Sequence, residues 1–156
     1  VSGILNEQVY LNDTLIVVRK LDPEVVQRAT AQFLVRHPDI AHAYAATDLL
    51  WSDHSSGIGR ALQRGFMVQR SGDVAFVMRP GYFERYGSAV GKGTTHGSPW
   101  NYDTHVPIFF MGQGIQHTEV VRRTSITDIA PTLSMVLGMT MPDAASGTVV
   151  GEVLRR

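Results

Sequence analysis

The side chains able to do chemistry gather in one stretch. Gly93-Thr94-Thr95-His96-Gly97-Ser98 is followed closely by Tyr102-Asp103-Thr104-His105-Val106-Pro107, so two imidazoles, a carboxylate and several hydroxyls share one segment. Neutral imidazole is the commonest metal ligand. Glycine beside His96 lets the backbone approach an ion closely. His96 is therefore a candidate metal ligand; the competing reading is a loop histidine that meets only solvent or its own backbone. His105 is its rival. Asp103 and His105 fall on one side of an extended chain, which suits a pair of ligands, a ligand with a supporting acid, or an Asp103 that simply caps a turn. Zinc sites take three or four protein ligands, and this segment offers one or two.

Other chemistries fail on spacing. Gly87-Ser88-Ala89-Val90-Gly91-Lys92-Gly93-Thr94 resembles a phosphate-binding loop. That loop needs Ser or Thr directly after the lysine and a helix beyond it, where this chain has Gly93 and then Pro99. No Gly-x-Ser-x-Gly elbow and no His-Glu-x-x-His occurs. His37, His42, His54 and His117 show no ligand spacing and read as surface or boundary residues. No residue of this chain is assigned a catalytic or organic-cofactor-binding role.

The elements that must carry this segment come next. Residues 8–11 and 14–18 are β-rich around Asn12-Asp13, which reads as a hairpin. Asp22-Pro23-Glu24 is a helix start, with Asp as cap and Pro at the first helical position. Val25, Val26, Ala29, Phe33 and Leu34 form its expected buried stripe, and Pro38 ends it. Residues 40–47 read as a strand, Ile58, Leu62 and Phe66 mark a short helix, and residues 73–79 are the clearest strand, closed by Pro80-Gly81. Residues 81–107 are a long irregular excursion, a length usual for functional loops. Residues 106–111 read as a buried strand. Thr127-Asp128 opens a last helix with Ile129, Leu133, Val136 and Leu137 as its buried face and Gly138 as its stop.

The fold class is therefore α/β in the broad sense (α+β). A small mixed or antiparallel sheet carries helices on one face, in a ferredoxin-like arrangement. The division falls at residue 80: 1–80 form a small α+β subdomain, and 81–156 hold the loop with a strand and helix of a larger α/β body.

Composition narrows the partners. A formal net charge of zero leaves no basic excess for neutralising phosphates, which argues against a nucleic-acid binder. No apolar run approaches the roughly 20 residues of a membrane span. Without cysteine there is no disulfide framework and no thiolate zinc site. A chain that opens on Val1-Ser2-Gly3, with no charged-then-apolar leader, is expected to be an excised or processed piece.

Gly93-Thr94-Thr95-His96-Gly97-Ser98, with Tyr102-Asp103-Thr104-His105-Val106-Pro107 after it, resembles the C-terminal motif of the alkaline phosphatase superfamily. The bacterial phosphate-irrepressible alkaline phosphatases and the type I phosphodiesterase/nucleotide pyrophosphatases are the branch it looks like. The run from Thr124 through Thr127-Asp128-Ile129-Ala130-Pro131-Thr132-Leu133 to Gly138 resembles that superfamily's closing helix. The front part of the chain fits the small domain inserted before the motif.

The resemblance implies a metal-dependent hydrolase of phosphate mono- or diesters. It implies two zinc ions in the full-length enzyme, which would stabilise attacking and leaving oxygens, and a Thr or Ser nucleophile. It places one zinc ligand here, His96. The nucleophile and remaining ligands have no match in this chain. The piece is then expected to be inactive alone, to bind no zinc by itself, and to have the rest of the parent chain as its partner. By the same analogy the parent is periplasmic or secreted. The alternative is a non-catalytic binding module that self-associates through exposed core surface around residues 106–111 and 128–137.

Overall fold

The computed structural model describes residues 1–84 and 93–155. The chain divides into two compact units, Val1–His105 and Val106–Arg156. The sequence expectation divides it after residue 80. The compact units divide later because side chains of the 93–105 segment bond back to the end of a central strand, as described below.

The first unit is built on one antiparallel sheet of strands β1 (Gly3–Leu5), β2 (Gln8–Tyr10), β3 (Ile40–Ala45) and β4 (Val74–Met78), in the order β1-β2-β4-β3. Asn6 and Glu7 join β1 to β2 with φ of 51° and 58°, the left-handed pair that a two-residue hairpin demands. The hairpin thus lies one turn earlier than the sequence reading put it.

Residues 14–18 are not a strand. They belong to helix α1 (Asp13–Val18), because the Asn12 side chain accepts the Leu15 N–H at 2.8 Å and caps it. A good cap and the burial of Ile16 override the β-branched run.

Helix α2 (Pro23–Leu34) starts as expected, with the Asp22 carboxylate accepting the Glu24 N–H at 2.9 Å. It covers one sheet face, and Val9, Leu11, Ile16, Ala31, Ile40, Val74 and Phe76 form the core beneath it. Its rotation differs from the expected stripe. Val26, Ala31 and Leu34 face the core, while Val25 and Phe33 are exposed. Gln27 explains this, since it turns toward the sheet and bonds through both ends of its amide. Its nitrogen donates to Asp73 at 3.2 Å, and its oxygen accepts from the N–H and hydroxyl of Thr47. Helices α3 (Ala46–Trp51) and α4 (Gly57–Gly65) lie between β3 and β4 in sequence.

The second unit contradicts two expectations. Residues 106–111 form no strand; Phe109 and Met111 are 87% and 98% exposed. A strand needs a neighbour to complete its ladder, and none of the described residues pairs with this segment.

Helix α6 (Ile129–Leu137) is present, opened by a capping box between Ser125 and Asp128 and closed by Gly138 at φ 63°. Its buried face is rotated from the expected one, with Ile129 and Val136 of the expected four half-buried. Pro131, Thr132 and Ser134 are buried, whereas Leu133 and Leu137 are exposed. The C-terminal segment causes this by lying on the polar side. Val150 N–H donates to the Thr132 hydroxyl at 2.9 Å and Thr148 N–H to the Asp128 carboxylate at 2.9 Å. Close approach at Gly147 leaves no room for a Cβ, which would sit 2.1 Å from the Thr127 carbonyl oxygen.

Candidate metal-ligand loop

His96 lies on exposed chain between Gly93 and Gly97, whose φ values of 127° and 103° favour glycine. It lines a cleft of about 460 Å³ in the first unit, with Glu7, Tyr82, Phe83, Glu84 and Tyr102 among the walls. The cleft is acidic on one side. Burial, and then the neighbouring Glu84 carboxylate, push the Glu7 carboxyl above its ordinary value, and the Glu7 N–H donates to Glu84 at 3.2 Å.

The segment after His96 is tied to the sheet. One carboxylate oxygen of Asp103 accepts both the Ser98 N–H, at 3.0 Å, and the Ser98 hydroxyl. The Trp100 indole N–H donates to the carbonyl of Met78, the last residue of β4, at 2.9 Å. The Gly81 N–H donates to the Tyr102 hydroxyl at 3.2 Å. Helix α5 (Asn101–Thr104) is the single turn that sets these three side chains in different directions.

Asp103 is thus engaged with Ser98. His105 is exposed and closes α5 through its own N–H, which donates to the Asn101 carbonyl. Among the described residues, no group of three or more His, Asp or Glu side chains comes together as a metal site. Among the described residues, the donors present fit one position of a metal's coordination shell and not a complete site. Lys92 and the rest of the glycine-rich run at 87–92 lie outside the described residues.

His42 and Trp100 carry weight that the sequence reading does not assign. His42 was set aside as a boundary histidine. It packs its ring 6.1 Å from Trp100 and 6.3 Å from Tyr44. The signal was available in part, since His42 and Tyr44 alternate with Ala43 and Ala45 along β3 and so share the sheet face away from α2.

No family model matches the chain. Relatives nevertheless align along all of it. It is 32% identical over its whole length to alkaline phosphatase PafA of Elizabethkingia meningoseptica, of which it spans 28%. Its backbone superposes on the crystal structure of wild-type alkaline phosphatase PafA with a TM-score of 0.86 and 31% identity, covering 98% of this chain and 29% of that one. The chain is a C-terminal part of the alkaline phosphatase family. A Myroides odoratus protein named calcium-transporting ATPase is also 32% identical across the full chain, again over 28% of its own length. Alkaline phosphatase PhoV of Synechococcus elongatus is 28% identical over 97% of the chain. The segment thus spans less than a third of the alkaline phosphatases it matches. Among the described residues no helix is long and apolar enough to cross a membrane.

Proposed function

We propose that this chain is the C-terminal part of a zinc-dependent phosphate-ester hydrolase, periplasmic or secreted, in which His96 is one zinc ligand. The observation that carries this reading is the exposed His96, in the His-Gly-Ser motif, lining a cleft on a loop tied to the sheet. The likeness to alkaline phosphatases along the whole chain supports it. In this reading residues 1–80 are a small inserted subdomain. Residues 81–156 bring the ligand loop and a helix of the α/β core. The nucleophile and the remaining ligands come from sequence outside this chain, and the chain alone is inactive.

Two assays test the reading together. The purified chain with zinc should hydrolyse an aryl phosphate no faster than its His96→Ala variant. A longer protein carrying the chain should hydrolyse the same ester with zinc, and His96→Ala there should reduce turnover at least about 100-fold, in the range of losing a group that acts on the transition state. Zinc-dependent turnover by the isolated chain, or full activity of the longer variant, would sink it.

The outward apolar side of α6 favours a second reading, a module that self-associates through that face. Size-exclusion chromatography over a concentration series decides. A dimer that Leu137→Gln dissolves supports association through α6, and a monomer at every concentration excludes it.

A further inference from the structure

We propose that Asp103 and Trp100 are positioning residues for His96, acting through Ser98 and through the end of β4. The inference rests on the reading of His96 as the functional group of the loop. Among the described residues His96 takes a long hydrogen bond, from the Thr95 hydroxyl to its carbonyl at 3.4 Å, and its side chain takes none. The glycines at 93 and 97 have positive φ, and glycine is the residue with most backbone freedom to lose. Order has to be imported from nearby, and the short path from His96 toward the sheet shows where it comes from.

Ser98, two residues on, gives its N–H and its hydroxyl to the same oxygen of Asp103. Hydrogen bonds to an ionised carboxylate are the stronger kind, so this clasp closes the chain from 98 to 103 on itself. Trp100 lies inside the closed segment and ties it to the Met78 carbonyl. Met78 ends β4 and is paired there with Ile40 of β3, which makes it a point of attachment on the sheet. The His42 ring beside Trp100 holds the indole from β3. Asp103 therefore serves His96 by fixing Ser98, even though its spacing in the sequence suggested a ligand.

Backbone NMR relaxation on the chain tests this directly. In the native chain the order parameter at His96 and Gly97 is expected near the rigid value of about 0.85, and in Asp103→Ala below about 0.6. Val74 and Phe76 should not change. Asp103→Asn keeps an acceptor oxygen and should restore much of the order. Trp100→Phe, which removes the indole donor and keeps a ring, should loosen His96 while the Ser98 amide resonance stays in place. Equal order at His96 in the native chain and in Asp103→Ala overturns the proposal, as does an Asp103→Asn variant no better than Asp103→Ala. The functional reading fails separately, in the His96→Ala turnover assay, where loop order plays no part in the result.

Discussion

The two units bury opposite kinds of surface. In the first, Val9, Val74 and Phe76 lie under α2, and the polar groups that face inward, Gln27 and Asp73, are bonded to each other and to backbone. In the second, α6 turns Thr132 inward at 0% exposure and leaves Leu137 at 64%. A helix rich in Leu, Met and Val that keeps its hydroxyls inside is stabilised locally by hydrogen bonds. Its apolar side is left for another surface. The first unit closes an aliphatic core while Val25 and Phe33 on α2 stay exposed, whereas in the second the exposed apolar residues lie on the helix that supplies the buried hydroxyls. The segment that shows this contrast spans 28% of its relative's length.

The largest expected effect probes the closed core. Phe76→Ala should destabilise the first unit by about 3–5 kcal/mol, the usual cost of an aromatic-sized cavity. Both tryptophans, Trp51 and Trp100, lie in that unit, so denaturant unfolding followed by their fluorescence reads it selectively. A midpoint close to wild type would mean that the core is not closed.

Next comes Thr132→Val in the second unit. It removes the hydroxyl that accepts from Val150 N–H and donates to the Asp128 carbonyl. Stranding a buried amide costs about 1–3 kcal/mol. Hydrogen exchange at Val150 should accelerate, and unchanged exchange would break the account of α6.

Acid should separate the units by sign. The Arg122 guanidinium holds the Glu152 carboxyl at about 2, below its ordinary 4.5, and backbone N–H groups of Ser125 and Thr148 lower Asp128 from its ordinary 3.8. Depressed values mean stabilisation that is present above the ordinary value and lost as pH falls through the depressed one. The second unit should therefore loosen between roughly pH 4.5 and 2. Glu7 is raised, so its contribution is present below 4.5 and is lost as pH rises through its folded value. Amide exchange measured in each unit across this range checks both directions; parallel behaviour would remove the contrast.

The smallest effect is the sharpest for the comparison. Leu137→Gln should change stability by no more than about 0.5 kcal/mol, as exposed substitutions do, while lowering binding of a hydrophobic dye. A loss above that of Thr132→Val would show that the leucine face is the buried one.

Local chemistry was legible where it was self-contained. Asp22-Pro23 announces α2, Gly138 ends α6, and Pro80-Gly81 closes β4. Rotation of a helix about its axis was not legible, because it depends on what lies across from it. Gln27 finds Asp73 and Thr47, and Thr132 finds Val150, through contacts distant in sequence. Residues 14–18 were misread because β-branched composition outweighed a single Asn cap. Residues 106–111 have the composition of a strand but lack the partner that would make them one. The ties behind His96 escaped for the same reason, since Trp100 meets Met78 and His42 only after the sheet has formed.

The bonds at Gly81 and Met78 have a consequence for how this loop can diverge. They bring Tyr102 and Trp100 back to where the chain leaves the sheet, so the excursion begins and ends at nearly one place. The stretch from His96 to Trp100 must then reach from the cleft to the Met78 carbonyl with a set number of residues. Homologous chains should keep a constant count between the histidine and the tryptophan.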